Sequence, residues 1–250
     1  MAPTFRHGRG TVIFADEYEL TRVTRSADAE ASVEVADTSV YADDDKTYLP
    51  GLVDASVTYG GLFDGNLTTG SGVPVGMQAV IEDALGSTAV VQNTYGPEGS
   101  AVGRHARLFE GIPDSLKFSA PLTDVVSWEA SQAMGSPMAA GVMLVDAATA
   151  LTGPSTHTSV NTGTTSTSGG AIHAHVLEWT STGTWTWRVQ HSSAGVAWAD
   201  LSTARSLTAA TRYQRVEVTG TVKAYLKAVI SAVSTGSAPK LAVAAGRYHA

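Results

Sequence analysis

Apolar and polar residues alternate with period two along most of the chain, and that alternation predicts strands. Residues 11–14 (TVIF) and 18–23 (YELTRV) flank Ala15-Asp16-Glu17, a hairpin pattern. Residues 32–35 and 55–62 read as further strands. The segment 37–54 between them reads as a loop, too long for an ordinary hairpin connection. One stretch changes period: Val73, Met77, Val80, Ile81 and Leu85 recur at helical spacing in residues 73–85, with Gly86 as the stop. Strands resume at 89–93, 101–110, 115–120, 125–132 and 139–145. Gly and Pro turns separate them at Tyr95-Gly96-Pro97, Ile112-Pro113-Asp114 and Gly135-Ser136-Pro137.

Residues 147–170 carry no Lys, Arg, Asp or Glu and are rich in Ser, Thr and Gly. The first part has the composition of a flexible connector, while the Thr-rich remainder also suits a short polar strand. Beyond it, strands are expected at 171–179, 184–190, 214–219, 224–232 and 240–245, with Trp185 and Trp187 on one face. The expected fold is mainly β. Residues 1–150 would form a β-sandwich or half-barrel with one flanking helix, and residues 151–250 a second, smaller β-sandwich.

Composition narrows the function. Of 250 residues, 43% are apolar and 16% charged, enough apolar content for a buried core. Cysteine is absent, which excludes disulfides and thiolate metal sites. No apolar run is long enough for a membrane-spanning helix and the first residues lack a signal core, so synthesis in the cytoplasm is expected. Charge divides unevenly. Residues 1–150 hold 8 Lys and Arg against 20 Asp and Glu, a balance of −12, whereas residues 151–250 hold 8 against 3, a balance of +5. Opposite signs suggest two units with different neighbours.

Candidate chemistry is sparse. His173 and His175 are two apart on an expected strand, so both imidazoles share a face and have metal-ligand spacing. Glu178 falls on the opposite face, and the alternative is a pair of partly exposed histidines on a sandwich surface. Asp43, Asp44 and Asp45 offer hard oxygen donors for a divalent cation, or equally a solvated loop tip. Gly70-Ser71-Gly72 precedes the helix without a Walker lysine. Trp185 and Trp187 suit either a glycan contact or core packing. No catalytic arrangement, cofactor site or metal site is assigned.

The run Lys46-Thr47-Tyr48-Leu49-Pro50-Gly51-Leu52, with Asp54, is followed by Gly61-Leu62-Phe63-Asp64-Gly65. Their order behind the first hairpin resembles the start of a major tail-tube protein of long-tailed bacteriophages, over roughly the first 145 residues. The segment WRVQHSSAGVAWADL resembles β-sandwich modules appended to phage tail proteins, with Ala194 where those carry Asp. The resemblance implies a non-enzymatic virion protein, made in the host cytoplasm, whose hexameric rings stack into a tube for DNA ejection. Its loop, with Tyr41, Asp43, Asp44, Asp45, Lys46, Tyr48, Leu49, Pro50 and Leu52, would reach the adjacent ring or subunit. Asp16, Glu17, Glu30 and Glu34 would present carboxylates to the lumen, so that DNA passes without tight binding. Implied partners are further copies of the chain, tape-measure, terminator and distal tail proteins, and host-surface glycans at the outer module, with no membrane insertion. The alternative is a carbohydrate-binding or adhesin sandwich that forms no tube.

Overall fold

The period-two segments fold as strands, and the structure, a computed structural model, describes residues 10–21, 23–37, 48–63, 77–179, 183–233 and 239–248. The first half contains β1 (Val12–Ala15), β2 (Tyr18–Glu19), β3 (Thr24–Asp37), β4 (Tyr48–Leu62), α1 (Met77–Ala84), β5 (Val91–Gly96), β6 (His105–Ser119), β7 (Ser127–Met134) and β8 (Ala139–Val145). The second contains β9 (Ser155–Thr156), β10 (Val160–Asn161), β11 (Gly170–Glu178), β12 (Trp185–Ser192), β13 (Ala199–Asp200), β14 (Arg205–Leu207), β15 (Tyr213–Val218), β16 (Tyr225–Val233) and β17 (Lys240–Arg247).

Three expectations change. The loop read over 37–54 shortens, because β3 and β4 stay paired out to Asp37↔Tyr48. A bulge between Val33 and Val35 lies opposite Pro50, where the ladder accommodates a residue without an N–H. The strands expected at 101–110 and 115–120 are one strand, β6. Its Pro113 sits at a register shift rather than in a turn. The helix is described from Met77. Val80, Ile81 and Ala84 face inward, Leu85 turns outward, and Gly86 ends the helix at φ +73°.

Two sheets result. The larger runs β15-β11-β17-β8-β6-β5-β1-β2, with β7, β4 and β3 branching from β6. Around β6 the pairing divides: its first part joins β5 and β8, and its second part joins β7. The smaller sheet runs β10-β16-β12-β13, with β9 on β16 and β14 on β12. Residue 150 does not mark a break in the larger sheet, since β17 lies between β8 and β11 and bonds to both. The segment 147–170, read as a connector whose later part also suits a short polar strand, contributes β9 and β10 to the smaller sheet.

The strands β11 and β17 are covered on both faces. Ile172, Ala174 and Val176 of β11, with Leu241, Val243 and Ala245 of β17, pack against Trp185, Trp187, Val189 and Leu226 of the smaller sheet. Ala171, Ala242 and Ala244 face the other way, toward Phe14, Ala106, Leu108 and Met143. So many alanines keep this second layer thin. A third cluster lies under α1, where Val80 and Ile81 meet Val57, Tyr59, Phe109 and Trp128. Within it Tyr59 donates its hydroxyl to Asn93 Oδ1 (3.2 Å), and Asn93 Nδ2 donates to Gln132 Oε1 (2.8 Å).

Candidate assembly surface

The hairpin β3–β4 branches from β7 of the larger sheet. β4 is flanked by β3 and β7, but β3 pairs with β4 alone, so between residues 25 and 36 its other edge pairs with no strand among the described residues. Such an edge is a template for another strand. Alternation gives the hairpin two unlike faces. Val57 and Tyr59 are buried beneath α1, while Ser56 and Thr58 point the other way. Directly opposite residues share a face, so Asp28 (opposite Thr58) and Glu30 (opposite Ser56) join that polar side. Ser131, Glu129 and Lys117 extend it through β7 and β6. Arg25, Asp28, Thr58, Lys117 and Glu129 line a shallow depression of about 320 Å³ there. Gly61 is required in β4, because a Cβ would enter the Trp128 indole and the Val23 carbonyl.

At one end of this sheet the surface is apolar. Phe63 and Phe118 make an edge-to-face pair 5.9 Å apart, and both are exposed, as are Leu122, Val125 and Val126 of the β6–β7 loop.

Each expected site residue now has a place or falls outside the description. Tyr41, Asp43, Asp44, Asp45 and Lys46 lie outside the described residues. Tyr48, Leu49, Pro50 and Leu52 are backbone positions of β4, not of a loop. Glu30 is exposed on the polar face. Glu34 lies on β3, and Glu17 sits half-buried in the β1–β2 turn. Asp16 points into the fold, where its carboxylate accepts from the Gln92 N–H (2.9 Å). Burial, opposed by that bond and reinforced by Glu17, pushes its pKa up to about 7. Trp185 and Trp187 are 1% and 0% exposed, so neither is a surface glycan contact; they are the core of the smaller sheet. Trp198 is half-exposed instead, with the Lys227 ammonium 4.1 Å from its ring centroid.

The histidines are not partly exposed either. His173 and His175 are 0% and 1% exposed, because they occupy the face of β11 that packs against β1 and β5. Both reach Thr94 Oγ1, His173 Nδ1 at 3.2 Å and His175 Nε2 at 2.8 Å. His175 Nδ1 meets the Asp16 carbonyl at 2.6 Å, and Asp16 adopts φ +50° in the turn. Glu178 turns away and pairs with Lys240. No group of three or more His, Cys, Asp or Glu among the described residues is disposed to hold a metal. Sequence reasoning missed Thr94 entirely, since a single threonine in QNTYG carries no signal.

No family model and no curated protein matches the chain. It is similar to solved structures of tail assemblies. One is from the virion of a native gene transfer agent particle, at 14% identity and TM-score 0.42, covering 54% of this chain and 97% of that one. Another is the SPP1 tail tube, at 12% and 0.42, covering 52% and 76%. The SPP1 Dit protein, described as a hub adsorption apparatus in phages infecting Gram-positive hosts, covers 96% and 99%, at 14% and 0.36.

Proposed function

We propose that this chain is a structural protein of a phage tail, acting by self-assembly and not by catalysis. Its copies would join edge to edge into rings, six per ring as the sequence resemblance implies, and the rings would stack into a tube. The observation that carries this reading is the open edge of β3 beside a sheet with one buried and one polar face. Edge pairing between copies would satisfy that backbone, and closure would leave no free edge.

In this arrangement the polar face of β3, β4, β7 and β6 lines the lumen. Asp28, Glu30 and Glu129 outnumber Arg25 and Lys117 there, so the lining carries a net negative charge that repels phosphate and DNA passes without adhering. These carboxylates replace Asp16, whose side chain is committed inside the fold. Residues 151–250 form an accessory sandwich built onto the tube-forming part through the β8–β17 pairing. It would face outward, toward host-surface glycans, while other tail proteins cap the tube.

Negative-stain electron microscopy of the concentrated protein, over a series of salt concentrations, tests the proposal. Hollow tubes with axial striations are expected, with sixfold class averages. Single closed rings that never stack would replace the tube by a terminal or hub role. Monomers at every concentration, even with a tail initiator present, would end the assembly reading.

A further inference from the structure

The layer between β11 and the β1–β5 wall holds a hydrogen-bond relay whose direction the geometry dictates. The Asp16 carbonyl only accepts, so His175 Nδ1, 2.6 Å away, carries a proton. The Nε2 of that neutral ring is therefore an acceptor, and the Thr94 hydroxyl donates to it at 2.8 Å. With its proton so placed, Thr94 Oγ1 accepts from His173 Nδ1 at 3.2 Å. His173 Nε2 remains a buried lone pair without a partner. The relay runs one way, from His173 through Thr94 and His175 to the turn of the first hairpin.

An added proton is disfavoured on either ring, although backbone hydrogen bonds at Asn93 and Asp16 favour the charged forms. On His175 Nε2 it would face the Thr94 hydroxyl proton. On His173 it would place a cation near Arg215, which lies opposite in β15. Around the pair stand Asp16, Glu17 and Tyr18 from the first hairpin and Glu110 from β6, which binds Arg215 at 2.8 Å. Arg212, Tyr213, Arg215 and Glu217 come from β15 and the residue before it.

We propose that this relay is an acid-released clasp, which in its neutral form pins the β1–β2 corner, and with it the root of the β3–β4 hairpin, to β11. Burial lowers both imidazoles, His175 to about 4 and His173 well below its ordinary value. Each therefore stabilises the closed form at neutral pH and loses that contribution as pH falls below about 6.5. Asp16, raised to about 7, acts oppositely, favouring closure more as pH falls from 7 toward its ordinary value near 4. Two histidines against one carboxyl leave a net uptake of one proton on opening. Opening should therefore grow about tenfold per pH unit between pH 6.5 and 4.

Hydrogen-exchange mass spectrometry of the full chain from pH 7.5 to 4, corrected for intrinsic rates, tests the clasp. Protection of residues 12–21 should fall about tenfold per unit relative to residues 139–147. In the double variant His173→Asn, His175→Asn only Asp16 remains, and the trend should reverse. A constant ratio in the wild type, or the same fall in the double variant, would overturn the proposal. If that variant fails to fold, Thr94→Val keeps both imidazoles but removes the hydroxyl between them, so protection should be lower at neutral pH and its fall below about pH 6.5 should level off at a higher pH than in the wild type. Imidazole proton NMR of the wild type decides independently: ordinary titration near 6.5 with protection retained would refute the clasp.

Discussion

Replacing Gly141 by alanine should disrupt the seam that joins the two halves of the chain. Gly141 of β8 pairs with Gly246 of β17, and an added Cβ would lie 2.6 Å from the Ala245 carbonyl carbon. Ordinary contact begins near 3.4 Å, and the Ala245 oxygen and Gly246 Cα are nearer still. These are backbone atoms, so no rotamer change relieves the overlap; β17 must move away from β8. Overpacking of this kind costs about 1–3 kcal/mol. Losing one or two ladder bonds adds about 1 kcal/mol each, for a total of about 2–5 kcal/mol. In a chain of this size that lowers Tm by about 4–20 °C. Thermal unfolding followed by near-ultraviolet circular dichroism provides the assay. Gly153→Ala serves as the control, since nothing lies within 4 Å of its added Cβ, and should stay within about 0.5 kcal/mol of wild type. A Gly141→Ala protein melting within a degree of wild type would show that β8 and β17 do not approach this closely.

Tyr59→Phe removes one buried hydroxyl from the Asn93–Gln132 network and should cost about 1 kcal/mol in chemical denaturation, with assembly retained. Trp187→Ala should cost about 3–5 kcal/mol, whereas Trp198→Ala, losing mainly a surface cation–π contact, should cost under about 1 kcal/mol. Equal losses would contradict the burial assigned to the smaller sheet. Charge reversal at Asp28, Glu30 and Glu129 to lysine should leave tubes that retain DNA at low salt and release it at high salt in cosedimentation. Retention unchanged from wild type would place another face on the lumen.

Periodicity made most strands legible, along with the change of period at α1. Proline misled in two places. Pro50 read as part of a loop and Pro113 as a turn, yet each lies at a bulge in a long strand, and whether a bulge exists depends on the partner strand. Alternation also placed His173 and His175 on one face, as it did Trp185 and Trp187. It gave no hint that these faces are covered. The cover on the histidines comes from Phe14, Asp16 and Thr94, at least 79 positions away in the chain, and local pattern holds no record of such a meeting.

The position of β17 has a consequence during synthesis. This strand fills the gap between β8 and β11, but it is translated about 95 residues after β8 ends. At about 5–20 residues per second, a ribosome needs roughly 5–20 s to supply it. For that interval the nascent chain displays β8 with an unmade neighbour and Val142, Leu144 and Val145 uncovered, a window in which chaperone capture competes with aggregation.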